Sequence, residues 1–255
     1  MRTVKLLISF DGTGYCGWQR QKNGLSIQEE IERALSLICN DDIILHGAGR
    51  TDAGVHALGM AAHFATVSRV GCAELQKGLN SLLPGAIRII EASDQPTDFH
   101  ARFSALAKTY HYTIFSGEVL PPDRRLYTHH LRYELNLKAV KRCLAELVGT
   151  HDFSSFETAG SRDRNHTNGR GAVRTIYQAK LIEPEDSYLQ LALTGDGFLR
   201  HMVRNIAGTI LEVGVGKRSV EEFVEIMRCR NRNQAGATAP SCGLSLIKVH
   251  YQEDW

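Results

Sequence analysis

The sequence lacks the features that mark a membrane protein, a disulfide scaffold or a zinc protein. Its six cysteines are isolated, and none forms a Cys-x-x-Cys pair. We therefore expect free thiols in a reducing cytoplasm and no metal site. The longest apolar runs, such as Ile206 to Val215, are interrupted and far shorter than the roughly 20 residues of a membrane span. Because Met1 to Val4 also lack the flanks of a signal peptide, we expect a cytoplasmic protein without a membrane segment.

A strong charge of either sign is also missing. The chain has 255 residues, and its 30 Lys and Arg against 28 Asp and Glu give a net charge of +2, which neither favours nor excludes a nucleic-acid partner. With 43% hydrophobic and 23% charged residues, the composition is that of a globular protein. Basic residues crowd the second half: Arg162, Arg164, Arg170, Arg174, Arg200, Arg204, Lys217, Arg218, Arg228, Arg230 and Arg232. Such a face suits a polyanion, although charge alone fits a solvated surface equally well.

Hydrophobic periodicity predicts the same order of elements twice. The first half has strands at 4–10, 43–45, 57–67 and 86–92, with helices at 26–39 and 75–82. The second half has strands at 107–115, 172–182, 188–194 and 244–251, helices at 136–149 and 199–211, and an added helix capped by Ser219. The order β-α-β-β-α-β therefore occurs twice. This repetition predicts an α+β fold of two ferredoxin-like halves, 1–103 and 104–255. We expect their antiparallel sheets to lie side by side around a central catalytic cleft.

A glycine-rich run follows the first strand. Gly12 to Gly17 match G-x-G-x-x-G, the pattern of a dinucleotide site. In such a site a helix opens at the motif, whereas here the helix begins only after Ser26, so an oxidoreductase is disfavoured. We favour an exposed loop in which Trp18 stacks on bases and Arg20 contacts phosphates, with a plain surface turn as the alternative.

A second glycine-rich run, Gly47 to Ala57, carries an aspartate between two strands. Its glycines allow close backbone approach, so the loop can present Asp52 to a cleft as a nucleophile or base. If spacing alone is considered, the simpler interpretation is a turn in which the Asp52 side chain forms a hydrogen bond with its own backbone. His56 and His63 invite a general-base role, but His63 lies in an apolar strand, and we interpret it as structural.

The nine residues Gly49 to Ala57, GRTDAGVHA, resemble the signature loop of the tRNA pseudouridine synthase A family. The resemblance extends over most of the chain, through FDGT at 10–13, GWQ at 17–19, FHARFSA at 99–105, KTYHY at 108–112, HDFSSF at 151–156 and GFLRHMVRN at 197–205. It implies isomerisation of uridine to pseudouridine at positions 38, 39 and 40 of the tRNA anticodon stem-loop. It also implies a homodimer that uses no metal, no nucleotide and no other cofactor.

The same resemblance assigns roles to individual residues. Asp52 is the catalytic carboxylate, acting either as a nucleophile or as the base that removes a ribose proton. Arg204 keeps it charged, Tyr110 stacks on the flipped uracil, and Arg50 fills the vacated stack. Without the resemblance, Arg204 is a helix-surface arginine and Tyr110 a core aromatic. Further candidate RNA contacts, from the charge pattern, are Arg20, Arg162, Arg164, Arg170, Lys217 and Arg218.

The chain departs from the family pattern between Phe156 and Arg174. A segment rich in Arg, Asn and Gly at 161–171 stands where the family has a short Cys-containing linker. The alternative function is a non-catalytic tandem RNA-binding module. Such modules carry a run of the type Lys/Arg-Gly-Phe/Tyr-Gly-Phe, which this sequence does not contain.

Overall fold

The computed structural model describes residues 1–22, 24–158 and 170–255. Within these ranges the fold is α+β, as predicted. In chain order its elements are β1 (Arg2–Phe10), α1 (Ile27–Cys39), β2 (His46–Gly47), β3 (His56–Thr66), α2 (Cys72–Leu82), β4 (Ile87–Gln95), β5 (Ala107–Phe115), β6 (His129–His130), α3 (Leu137–Leu147), β7 (Gly149–Asp152), β8 (Val173–Glu185), β9 (Tyr188–Gly195), α4 (Met202–Gly214), α5 (Val220–Cys229) and β10 (Leu244–His250).

The chain divides into two compact units. The first contains Met1–Leu106 and Ser245–Asp254, and the second contains Ala107–Leu244 and Trp255. The expected division placed everything after residue 103 in the second half. The last strand joins the first unit because Ser245 and Leu246 of β10 pair in parallel with the start of β3.

The first unit has the strand order of a ferredoxin-like sheet. β1 lies between β4 and β3 and is antiparallel to both, and β2 adds to the far side of β3, giving the order β4-β1-β3-β2. Val4, Leu6 and Ile8 of β1 are fully buried, as the alternation predicts. Helix α1 begins where the Ser26 hydroxyl accepts a hydrogen bond from the Glu29 N–H at 3.3 Å.

The second unit has a sheet in the order β5-β9-β8-β7, antiparallel throughout, with the short β6 parallel to β5. Helix α3 is capped by Asn136, as predicted, and α5 begins at a capping box formed by Ser219 and Glu222. Helix α4 is the buried helix that the sequence predicts, with Met202 and Ile206 fully covered.

The short strands differ from the prediction: one predicted strand is absent, and three observed strands were not predicted. The segment 43–45 is not a strand, although Ile43 and Leu45 are buried. Its backbone is satisfied by side chains of α1, since Leu45 N–H donates to Glu32 at 2.9 Å and Leu45 C=O accepts from Gln28 at 2.9 Å. The observed β2, β6 and β7 have four residues or fewer, too short for periodicity to reveal.

No helix in the described ranges is both long and apolar enough to cross a bilayer.

Candidate active site

The loop that carries Asp52 connects β2 to β3 and is held by the glycine-rich loop after β1. Trp18 N–H donates to Thr51 C=O at 3.1 Å, and Gly54 N–H donates to Tyr15 C=O at 3.3 Å. Within the loop, Val55 N–H donates to Asp52 C=O at 3.1 Å. The backbone on both sides of Asp52 is therefore fixed by hydrogen bonds.

Two glycines of the first loop allow this close approach. A Cβ at Gly12 would lie 2.1 Å from Val55 O, and a Cβ at Gly17 would lie 2.4 Å from Thr51 O. Gly17 also has φ +101°, in the region that favours glycine. These two glycines of the G-x-G-x-x-G match thus serve packing against the Asp52 loop.

The loop exposes some side chains and buries others. Thr51 and Val55 are buried, Asp52 is half-buried and Arg50 is exposed. Gly54, with φ +74°, reverses the chain after Asp52. The arrangement anchors the loop at Thr51 and Val55 while Asp52 and Arg50 remain accessible.

His56 ties the two loops together. The Gly12 N–H donates to His56 Nδ1 at 3.1 Å, and the same nitrogen lies 3.2 Å from a carboxylate oxygen of Asp11. The ring is buried at the first residue of β3. His56 therefore has a structural position beside the Asp52 loop.

The expectation that Trp18 stacks on bases is wrong. Its side chain is only 3% exposed, its ring lies 6.1 Å from that of Phe10, and a Cβ at Gly47 would meet its indole nitrogen at 2.5 Å. Sequence alone could not place Trp18 inside, because the residues that cover it are distant in the chain. Arg20 is exposed and forms an ion pair with Glu32 at 3.2 Å.

Tyr110 lies on β5 opposite Leu193 and is 7% exposed. The Phe198 ring meets it in an edge contact with 5.0 Å between centroids. Burial and ring contact fit the core-aromatic interpretation, and the stacking role stays a prediction.

Arg204 lies on α4 and is half-buried. Its Nε–H donates to Ala239 C=O at 2.8 Å, and Ala239 N–H donates back to Arg204 C=O at 3.1 Å. The guanidinium is therefore anchored at one end by the loop that precedes β10. Arg200, one turn earlier in sequence, is exposed.

A polar network that the sequence did not predict supports this loop. Asn205 Oδ1 accepts from Thr238 Oγ1 at 2.6 Å and from Arg232 at 3.1 Å, and Arg232 also donates to the carbonyls of Ala235 and Gly236. Arg232 belongs to the expected basic face, but its guanidinium is used inside the fold. In the sequence, Arg232 is only an arginine among Asn and Gly residues, and this pattern does not indicate the network.

The candidate RNA-binding residues differ in availability. Arg50 and Lys217 are exposed. Arg170 forms an ion pair with Asp196, and Arg218 forms one with Glu212 at 2.5 Å. Arg162 and Arg164 lie outside the described residues.

The structure distributes the catalytic candidates over both units. Asp52 and Arg50 belong to the first unit, and Tyr110 and Arg204 belong to the second. In the described ranges, no group of three His, Cys, Asp or Glu side chains is arranged to hold a metal ion.

These features define an α+β protein in which a glycine-cradled loop presents an aspartate. The profile of the tRNA pseudouridine synthase family matches residues 6–104 and 144–252. A protein named tRNA pseudouridine synthase A 1 from Desulfotalea psychrophila is 53% identical over 251 residues, which cover 98% of this chain and 100% of that protein. The tRNA pseudouridine synthase A of Citrifermentans bemidjiense is 43% identical over 254 residues, 99% of each chain. The chain therefore belongs to the tRNA pseudouridine synthase family.

Proposed function

We propose that this protein isomerises uridine to pseudouridine at positions 38, 39 and 40 of the tRNA anticodon stem-loop. Similarity over nearly the full length to proteins named tRNA pseudouridine synthase A supports the reaction and the substrate class. The observation that carries the assignment is the Asp52 loop, whose backbone is bound to a second loop on both sides of the aspartate.

The reaction rearranges one nucleoside without an external reactant. The N1–C1′ bond breaks, the uracil turns, a C5–C1′ bond forms, and the C5 proton is lost while N1 gains one. Neither electrons nor water are consumed, so the proposed reaction requires no redox cofactor. The ionised Asp52 carboxylate acts on the nucleoside, either by attack or by removal of a ribose proton.

A fixed loop suits this chemistry because a carboxylate held in position loses little freedom on reaching the transition state. Thr51 and Val55 are buried on either side of Asp52, and Gly17 leaves room for the Thr51 carbonyl. These contacts support Asp52 as the catalytic residue.

We assign supporting roles to three further residues. Arg204 provides the positive charge that keeps the carboxylate ionised, and its anchored Nε supports a fixed guanidinium. Tyr110 stacks on the flipped uracil, and the exposed Arg50 fills the gap that the uracil leaves.

The wider RNA contact uses basic side chains on both units. Exposed Arg50 and Lys217 are the strongest candidates. Three other arginines would have to exchange a carboxylate partner for a phosphate: Arg20, Arg170 and Arg218. The remaining proposed RNA contacts are Arg162 and Arg164. We further propose a cytoplasmic homodimer.

The assay is tritium release from tRNA that carries [5-³H]uridine, prepared from a synthase-deficient strain. Wild-type protein should release tritium, whereas Asp52→Asn should release none and still bind tRNA within about tenfold, since binding depends mainly on phosphate contacts. Asp42→Asn, at an exposed aspartate before β2, is the matched control and should react as wild type. Tyr110→Phe tests the hydroxyl and should lower turnover by about 10² if that hydroxyl carries the C5 proton.

Binding of tRNA by the wild-type protein without tritium release would favour the non-catalytic RNA-binding module and would contradict the proposed function. Wild-type turnover in Asp52→Asn would contradict only the assignment of the carboxylate.

A further inference from the structure

A group of four rings lies on the first unit, outside the Asp52 loop. The Phe103 ring lies 4.2 Å from that of His100, His100 lies 4.5 Å from His63, and His63 stacks on His46 at 5.1 Å. We call these four residues the ring cluster. His63 is buried, whereas Phe103 is 77% exposed, so the cluster runs from the interior of the unit to solvent.

The turn that carries Phe103 is held in place. His100 N–H donates to Ser104 Oγ at 3.1 Å, and Ser104 N–H donates to His100 C=O at 2.9 Å. Phe103 N–H donates to His100 Nδ1 at 3.3 Å, and Ala101 N–H donates to His63 Nδ1 at 3.1 Å. Phe103 is thus displayed on a fixed turn although its ring contributes little to the core.

The exposed end of the cluster combines an aromatic ring with a positive charge. The Arg102 guanidinium lies 5.9 Å from the centre of the Phe103 ring, and among the described residues no carboxylate forms an ion pair with it. Burial, with the neighbouring histidines, lowers the pKa of His63 to about 4, and burial also lowers the pKa of His100. At neutral pH these two rings are therefore uncharged, and Arg102 supplies the positive charge.

An exposed ring beside an arginine is the combination that binds unpaired nucleotides, through stacking on the base and a contact to the phosphate. We infer that the ring cluster and Arg102 form a second RNA contact, which stacks one unpaired nucleobase of tRNA on Phe103 and binds its phosphate through Arg102. This inference rests on the proposed function, since it takes tRNA as the ligand.

The exposed end of the ring cluster lies outside the Asp52 loop. His63 lies seven residues after His56 on β3, and β3 begins directly after the Asp52 loop. At the rise per residue of a strand, His56 and His63 are about 23 Å apart. In this inference the base on Phe103 is a nucleotide other than the one that reacts at Asp52.

The first test is the affinity of the full-length protein for a tRNA transcript. Phe103→Ala should bind about 5- to 150-fold more weakly, the range found when one stacking side chain is removed. Leu37→Ala is the matched control, because Leu37 is 69% exposed on α1 and outside the ring cluster. Its affinity should equal that of wild type.

Two further variants separate stacking from charge. Phe103→Trp should retain affinity, and its added fluorescence should be quenched when tRNA binds. Arg102→Gln should reduce the magnitude of the slope of log affinity against log salt by about 0.7 to 0.9, as expected for one lost phosphate contact.

Equal affinities of wild type and Phe103→Ala would overturn the inference, as would a Phe103→Trp signal that tRNA leaves unchanged. A change of oligomeric state in Phe103→Ala, measured by sedimentation velocity, would identify a protein interface instead and would also overturn it. Wild-type protein without turnover would contradict the proposed function, and the affinity comparison would still decide this inference.

Discussion

Gly17 shows how one residue of the first loop determines the position of the catalytic candidate. It has φ +101°, and an added Cβ would lie 2.4 Å from Thr51 O and 3.1 Å from the Asp52 carbonyl carbon. Gly14 has a similar φ of +80°, but a Cβ there would meet nothing within 4 Å. Alanine at Gly14 should therefore cause backbone strain only, whereas alanine at Gly17 should cause the same strain and also displace the Asp52 loop.

We predict that Gly17→Ala abolishes most turnover, whereas Gly14→Ala retains it. Both variants should lose about 1 kcal/mol or more of unfolding free energy from strain at positive φ. Only Gly17→Ala should also move Asp52, because its Cβ overlaps the loop backbone. Tritium release together with thermal unfolding checks this, and equal turnover in the two variants would contradict it.

Single residues also show why sequence predicts some site features and misses others. The sequence predicts Asp52 as the catalytic candidate because its loop is a contiguous and specific motif. The burial of Trp18 and the internal role of Arg232 depend on groups far away in the chain, such as Gly47 for Trp18 and Asn205 for Arg232. A tryptophan in a glycine-rich loop and an arginine in a basic stretch carry no local signal of those contacts.

At the scale of elements, helix α4 and the loop before β10 are joined through Arg204 and Ala239. Their two hydrogen bonds fix the arginine backbone and its Nε. Lysine has no equivalent of Nε–H at that point of its side chain, so it cannot replace this bond to Ala239 C=O.

We predict that Arg204→Ala folds but loses most turnover, and that Arg204→Lys recovers only part of it. Arg200→Ala is the matched control, since Arg200 is exposed just before the same helix and should be dispensable for the chemical step. Single-turnover rates, with circular dichroism as the folding control, check the prediction. A folded Arg204→Ala with the wild-type rate would remove Arg204 from the active site.

Strand β3 carries His63, whose titration should affect stability. Burial lowers its pKa to about 4 from an ordinary value of 6.5, with His100 and His46 adding to the effect. In the unfolded chain the ring binds a proton near pH 6.5, so the stability that the neutral ring gives is present above that pH. It is lost as the pH falls from 6.5 to 4.

We therefore predict that the unfolding free energy falls between pH 6.5 and 4 and that His63→Gln flattens this dependence. Chemical denaturation at several pH values measures it. His100, whose pKa is also lowered by burial, remains in the variant, so some dependence should persist. An unchanged slope in His63→Gln would show that other groups cause the acid sensitivity.

Elements with strong local signals were predictable, and short pairings were not. Alternation located β1 and β5, and the caps Ser26, Asn136 and Ser219 located the starts of α1, α3 and α5. The segment 43–45 has apolar residues in a strand-like pattern, yet its backbone bonds to side chains of α1. Tertiary structure decides which partner the backbone of a short segment bonds to. The local sequence pattern carries no information about that partner.

At the scale of the whole molecule, the basic second half is suited to an RNA partner, but ion pairs within the protein already occupy some of its cations. Lys217 is exposed, whereas the adjacent Arg218 is half-buried and paired with Glu212 at 2.5 Å. Two neighbouring cations in sequence should therefore contribute unequally to phosphate contacts.

We predict that Lys217→Gln reduces the magnitude of the salt slope of tRNA affinity by about 0.7 to 0.9, while Arg218→Gln changes it less. The slope is obtained from affinities measured between low and physiological salt. Equal reductions in both variants would show that Arg218 leaves Glu212 for the RNA, and no reduction in either would identify this region as a solvated surface.

We propose that Asp52 catalyses pseudouridine formation in the anticodon stem-loop. The most direct test is nucleotide-resolved mapping of pseudouridine in total tRNA from a synthase-deficient strain, after incubation with wild-type protein or Asp52→Asn. New pseudouridine should occur at positions 38, 39 and 40 with the wild-type protein and at no position with Asp52→Asn. Pseudouridine at other positions only, or the same pattern with both proteins, would contradict the account.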